Sequence, residues 1–140
     1  MVLKRGSLQH IEINVSDLAK SKAFYGPLLK WMGYRRIVEG RTWVGWDNGE
    51  SKIFLTDLEK YKDAGFHRQR VGVNHIAFQA ESKEEVDEFH KQFLIPTKAN
   101  VLYDGPKLYP EYAPSYYAVY FEDPDRIKLE YVHVPDYDKS

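Results

Sequence analysis

A chain of 140 residues with a net charge of −1 is long enough to bury one core or two small modules, and it offers no general attraction to phosphate backbones or anionic membranes. The absence of cysteine excludes disulfides and thiolate ligands, which leaves any metal site to histidine and carboxylate. No apolar run of spanning length follows Lys4 and Arg5, so the expectation is one domain over 1–140, cytoplasmic, without nucleic-acid or membrane partners.

The first element is a strand over residues 8–15, in which Ile11, Ile13 and Val15 alternate with His10, Glu12 and Asn14. Ser16 or Asp17 caps a helix reaching Trp31, with Leu18, Phe24, Leu28 and Trp31 as its apolar stripe and Gly33 as its stop. Pro27 lies late in that helix and predicts a bend or a split, because proline removes a donor and crowds the preceding turn. Three short strands follow over 34–39, 41–47 and 51–56, with turns at Glu39-Gly40 and Asp47-Asn48-Gly49. Residues 7–58 thus read as one βαβββ module.

Residues 59–70 are charged and aperiodic and read as a solvated linker, with Lys60, Lys62, Arg68 and Arg70 on it. The second module, 71–134, repeats the first. Asn74-His75-Ile76-Ala77-Phe78-Gln79-Ala80 parallels Gln9-His10-Ile11-Glu12-Ile13-Asn14-Val15 sixty-five positions earlier. Ser82 and Glu85 form a capping-box pattern opening a helix that presents Val86, Phe89 and Phe93 and stops at Pro96. A strand over 99–103 leads into a Pro/Tyr-rich loop over 104–114, where Tyr109 and Tyr112, with Tyr103 before them, read as an exposed lid over a binding site. Strands over 115–122 and 126–134 close the module around the turn Asp123-Pro124-Asp125, and residues 135–140 read as a tail.

By parity, His10 and His75 fall on the more polar faces of equivalent strands, and Glu130 falls on the face of the last strand opposite Leu129 and Tyr131. If both sheets curl around a common cleft, the three side chains form a 2-His-1-carboxylate set with open coordination positions, suited to Fe, Mn, Zn, Ni or Co. A lone strand histidine is usually structural; two at equivalent repeat positions with a carboxylate of matching parity favour ligands. His67, His90 and His133 lie in the linker, on a helix and at the opposite parity, and read as structural or surface residues.

These residues resemble the vicinal oxygen chelate superfamily, which gathers glyoxalases, bleomycin-resistance proteins and extradiol dioxygenases. The resemblance runs from about Leu8 to Val134 and rests on His10-Ile11 with Asp17, a stretched Phe24-Tyr25…Leu28…Gly33 motif, His75-Ile76-Ala77-Phe78, and Phe121-Glu122-Asp123-Pro124-Asp125-Arg126 ending in Glu130. It implies an α+β fold in which paired βαβββ modules make a curved eight-stranded cup. The cup would hold a divalent metal that a small-molecule substrate chelates, and a homodimer is expected. Arg126 stands where the family usually has Gly, so the turn must avoid or tolerate a left-handed residue.

By register, Phe54 takes the place of a fourth ligand found in glyoxalase I-like members, and a phenyl ring cannot coordinate. The three remaining positions match the ligand sets of extradiol dioxygenases and fosfomycin-resistance transferases. For the former, no spare histidine has cleft parity. For the latter, Tyr120 and Lys107 fit, whereas Ala118 stands where that class offers Ser. Tyr116 and Tyr120 share a strand face and line the expected cleft, with Trp43 or Trp46 as the opposite wall, Phe54, Tyr103 and Lys107 as further substrate contacts, and Tyr120 as the catalytic hydroxyl. The alternative reading is a metal-free protein that sequesters a drug or metabolite, as bleomycin-resistance members do.

Overall fold

The computed structural model describes residues 3–136, so part of the expected tail, 137–140, lies outside the described residues. The chain divides into two units between Gly65 and Phe66. Each unit is a four-stranded sheet with a helix against one face, and each follows the order β, α, β, β, β.

The first unit holds β1 (His10–Val15), α1 (Leu18–Trp31), β2 (Arg35–Glu39), β3 (Trp43–Asp47) and β4 (Lys52–Asp57), with sheet order β1-β4-β3-β2. β1 runs parallel to β4 and the other pairs are antiparallel, as a helical crossover followed by hairpins requires. Alternation sends Ile13, Val15, Val44, Trp46, Ile53 and Leu55 into the core with Tyr25, Leu28 and Leu29 of α1. Trp46 is therefore core, only 4% exposed, and cannot form a wall on the other face; Trp43, three residues earlier, is on that face. Asp17 caps α1 through the Lys20 amide. The expected break at Pro27 does not occur: α1 runs through it as one helix. Pro27 is exposed, so its ring meets solvent, and the flanking Tyr25, Leu28 and Leu29 hold the helix down by packing.

The second unit holds β5 (Ile76–Gln79), α2 (Lys83–Phe89), β6 (Asn100–Leu108), β7 (Tyr117–Glu122) and β8 (Lys128–His133), in the order β5-β8-β7-β6. Ser82 caps α2 by accepting from the Glu85 amide. The helix widens into a π-helical turn over His90–Leu94, closed by the Ile95 amide donating to the His90 carbonyl. Phe89 stacks on Phe93 and touches Phe121 and Tyr131, which form the helix-side core with Val119 and Leu129.

β6 corrects the expected loop over 104–114. The strand continues to Leu108 through a bulge, with pairing shifted between Leu102 and Lys107 and positive φ at Tyr103, Asp104 and Gly105. Sequence alternation breaks at such a bulge, which is why the strand ends early on sequence grounds. The exposed lid is also corrected in part: Tyr109 is 7% exposed, whereas Tyr103 and Tyr112 are open. The turn after Asp123 accepts Arg126 at φ +65°, held by the Arg126 amide to the Asp123 carbonyl and by two amides on the Asp123 carboxylate. Among the described residues no helix is long and apolar enough to cross a membrane.

Candidate functional site

The registers of the two units superpose the repeat. In the first, Glu12 pairs with Phe54; in the second, Ala77 pairs with Glu130. Phe54 and Glu130 are thus equivalent positions, each paired with the residue two places after its module's histidine. The second unit keeps a carboxylate there and the first has a ring.

Each histidine is oriented in the same way. The Nδ1 of His10 meets the side-chain oxygen of Gln9, and the Nδ1 of His75 meets that of Asn74 at 2.7 Å. A ring that donates through Nδ1 turns the Nε2 lone pair outward, the arrangement that outer partners impose on metal-ligating histidines. In the first unit His10 stands edge-on to Phe54, 5.6 Å between centroids, and Phe54 stacks on Trp43 at 6.3 Å. Gly45 makes room for this ring, since a Cβ there would come within 2.5 Å of it. The expected residues His10, Trp43 and Phe54 form one group on that face.

In the second unit the Nε2 of His75 lies 2.9 Å from Oε2 of Glu130. Glu130 is fully buried, and its other oxygen accepts from the Tyr116 hydroxyl. Burying a carboxylate is costly unless its oxygens are engaged, and here both are. Two donors each about 2.1 Å from one ion and at right angles stand about 3 Å apart, so this pair has the separation of neighbouring ligands. With Nδ1 donating to Asn74, either a proton on Nε2, which makes a charged His75–Glu130 pair, or a cation between Nε2 and the carboxylate satisfies both groups. Among the described residues no three His, Cys, Asp or Glu side chains come together. The pair fits a metal as two donors, and a full set needs a third.

Above the pair opens a cavity of about 620 Å³, walled by Tyr103, Tyr109, Tyr112, Tyr116 and Tyr120, with His75, Asn74, Lys107 and Lys128 completing it. The rings meet edge to face: Tyr120 lies 5.4 Å from both Tyr103 and Tyr109 and 5.8 Å from His75. Burial, then the Tyr116 hydrogen bond and the Glu130 charge, push the Tyr120 phenol far above its ordinary value, so Tyr120 keeps its proton and acts as a donor. Burial, followed by the Glu130 charge, likewise raises the Tyr109 phenol to about 12. Lys128 sits over the rings of Tyr103 and Tyr120 and donates to the Tyr103 hydroxyl at 3.0 Å.

Of the expected site residues, His75, Tyr103, Lys107, Tyr116 and Tyr120 line this cavity and Glu130 lies beneath it. Sequence reasoning missed Asn74 and Lys128. Both had a signal: Asn74 precedes His75 as Gln9 precedes His10, and Lys128 shares the parity of Glu130. His133, at the opposite parity, meets the Ala80 carbonyl, as expected of a structural histidine.

The family model for the glyoxalase/bleomycin resistance protein/dioxygenase superfamily matches residues 7–131. The chain is 37% identical over 126 residues to the uncharacterized protein YqjT of Bacillus subtilis (strain 168), covering 89% of this chain and 97% of the relative. The crystal structure of a candidate glyoxalase from Bacillus halodurans superposes with a TM-score of 0.81 at 34% identity, covering 93% of this chain and 97% of the other. That of a lactoylglutathione lyase from Agrobacterium tumefaciens gives 0.64 at 22% identity, with 91% and 93% covered, a likeness of fold. The chain belongs to the glyoxalase/bleomycin resistance protein/dioxygenase superfamily.

Proposed function

We propose that this protein is a metal-dependent enzyme acting on a small oxygenated organic molecule in the tyrosine-walled cavity, through a divalent ion held by His75 and Glu130. The observation that carries this reading is the 2.9 Å approach of His75 Nε2 to a fully buried Glu130, each fixed from behind by Asn74 or Tyr116. Metal-ligating histidines and carboxylates are held by outer partners of this kind.

When bound, such an ion supplies Lewis-acid stabilisation of an enolate, alkoxide or phosphonate oxygen, or access to dioxygen chemistry if it is iron. The chain's own residues do the rest. Tyr116 holds Glu130 in one orientation. Tyr120, which donates to Tyr116 in the free protein, redirects its proton to a substrate oxygen. The tyrosine rings exclude water and clamp a flat body. A homodimer is the proposed assembly, because β1 and β5 are edge strands with one neighbour each in their sheets.

A second reading, a metal-free sequestering protein, is favoured by one observation: Phe54 occupies the place equivalent to Glu130. Elemental analysis of protein purified without chelator separates the two. The enzyme reading expects about one divalent ion per chain, lost in His75→Ala. Trace metal unchanged by that substitution establishes the sequestering protein instead.

A further inference from the structure

The cavity holds a polar atom that the protein itself leaves unused. The Tyr109 hydroxyl is buried and, among the described residues, has no hydrogen-bond partner. Tyr109 is 7% exposed and lines the cavity. A buried hydroxyl without a partner is costly and calls for an explanation, and beside a cavity a bound ligand supplies one. Because burial keeps this phenol protonated, what it lacks is an acceptor.

The charges around it specify which acceptor. Lys107 Nζ lies 5.3 Å from the Tyr109 ring centroid, and Lys128 Nζ lies 4.7 Å from that of Tyr120. Among the described residues neither lysine has a carboxylate within 4.0 Å, although six ion pairs form elsewhere. The one carboxylate beneath the cavity, Glu130, is already held by His75 and Tyr116. Two ammonium groups without a carboxylate partner therefore border a space walled by aromatic rings, and the unfilled donor lies buried in its wall.

We infer that the ligand of this cavity is a planar organic anion, whose ring lies among the tyrosines and whose carboxylate or phosphate accepts from the Tyr109 hydroxyl and pairs with Lys107, with Lys128 as the second cation. The inference rests on the reading of this cavity as the ligand site, but not on the metal. It narrows the substrate from oxygenated molecules at large to anionic aromatic or conjugated ones.

The test is calorimetric titration of the full-length protein with benzoate, phenyl phosphate and neutral benzamide, with EDTA present and again with Mn(II). One or both anions should bind at least about tenfold more tightly than benzamide, and that preference should shrink with added salt. The stronger of the two anions distinguishes a carboxylate ligand from a phosphate. Tyr109→Phe should weaken the anions by about tenfold, leave benzamide unchanged and raise thermal stability, because it deletes a hydroxyl that has no partner in the free protein. Lys107→Met should weaken the anions and flatten the salt dependence. Anions that bind no better than benzamide, no binding of any probe, or a Tyr109→Phe protein with unchanged anion affinity would each overturn the inference. Mn(II) uptake is read separately, so loss of the metal reading leaves the anion result standing, and the reverse holds too.

Discussion

Glu122 shows how one side chain is tuned by its neighbours. It is 4% exposed on β7 and is reached by Arg68 at 2.7 Å, by Asn100 and by Arg126 at 3.5 Å. Burial alone would raise its carboxyl, but the hydrogen bonds from Arg68 and Asn100 and the charges of Arg68 and Arg126 outweigh it and hold the carboxyl below its usual range. A carboxyl depressed in the folded state gives stability that is present above its unfolded value and lost as pH falls through the folded one. Glu122→Gln should cost roughly 1–3 kcal/mol at neutral pH, and denaturant titrations of the two proteins should converge as pH falls below the ordinary carboxylate value and through the lower folded one. Arg68 belongs to the segment read as a solvated linker; nothing in the sequence of that segment reveals that its guanidinium docks on a strand more than fifty residues away.

Arg126 is the second instructive residue. Its φ of +65° is a conformation that a side chain with a Cβ disfavours, and its 79% exposed guanidinium gains little from Glu122. Arg126→Gly should stabilise the protein by about 1 kcal/mol, read as a higher melting temperature. A lower one would show that the exposed ion pair outweighs the backbone strain. The sequence left two outcomes open at this turn, and the Asp123 carboxylate, which accepts from two amides there, is what lets the costlier one stand.

At the scale of elements, alternation and caps made most of the architecture legible. Asp17 and Ser82 sit at their caps, and the strand faces follow the parity of the apolar residues. The failures have physical causes. α1 survives Pro27 because packing of its buried face exceeds the loss of one hydrogen bond. Since Pro27 is exposed and interior to the helix, Pro27→Ala should restore that bond and stabilise by about 1–3 kcal/mol in equilibrium unfolding. Destabilisation would mean that the proline is favoured through the unfolded chain instead. β6 was truncated in the sequence reading because three consecutive residues at positive φ interrupt the period of two, and two of them, Tyr103 and Asp104, are not glycine. Burial of Tyr109 and its unpartnered hydroxyl depend on packing within the second unit and could not be read from composition alone.

For the molecule as a whole, the duplicated strand carried the most information. The repeat led to His10 and His75, their shared orientation by the preceding amide, and the exchange of Glu130 for Phe54 at the equivalent register. It could not convey that Glu130 is wholly buried or that Tyr116 holds it, because those depend on how β7 and β8 pair. The chemistry we propose hangs on the His75–Glu130 pair serving as ligands rather than as a structural hydrogen bond. The most direct measurement is anomalous diffraction from crystals of the full-length protein grown with Mn(II). The account predicts a peak about 2.1 Å from both His75 Nε2 and Glu130 Oε2, and no peak in His75→Ala. A crystal in which the two side chains remain hydrogen-bonded to each other at saturating Mn(II), with no peak between them, would contradict it.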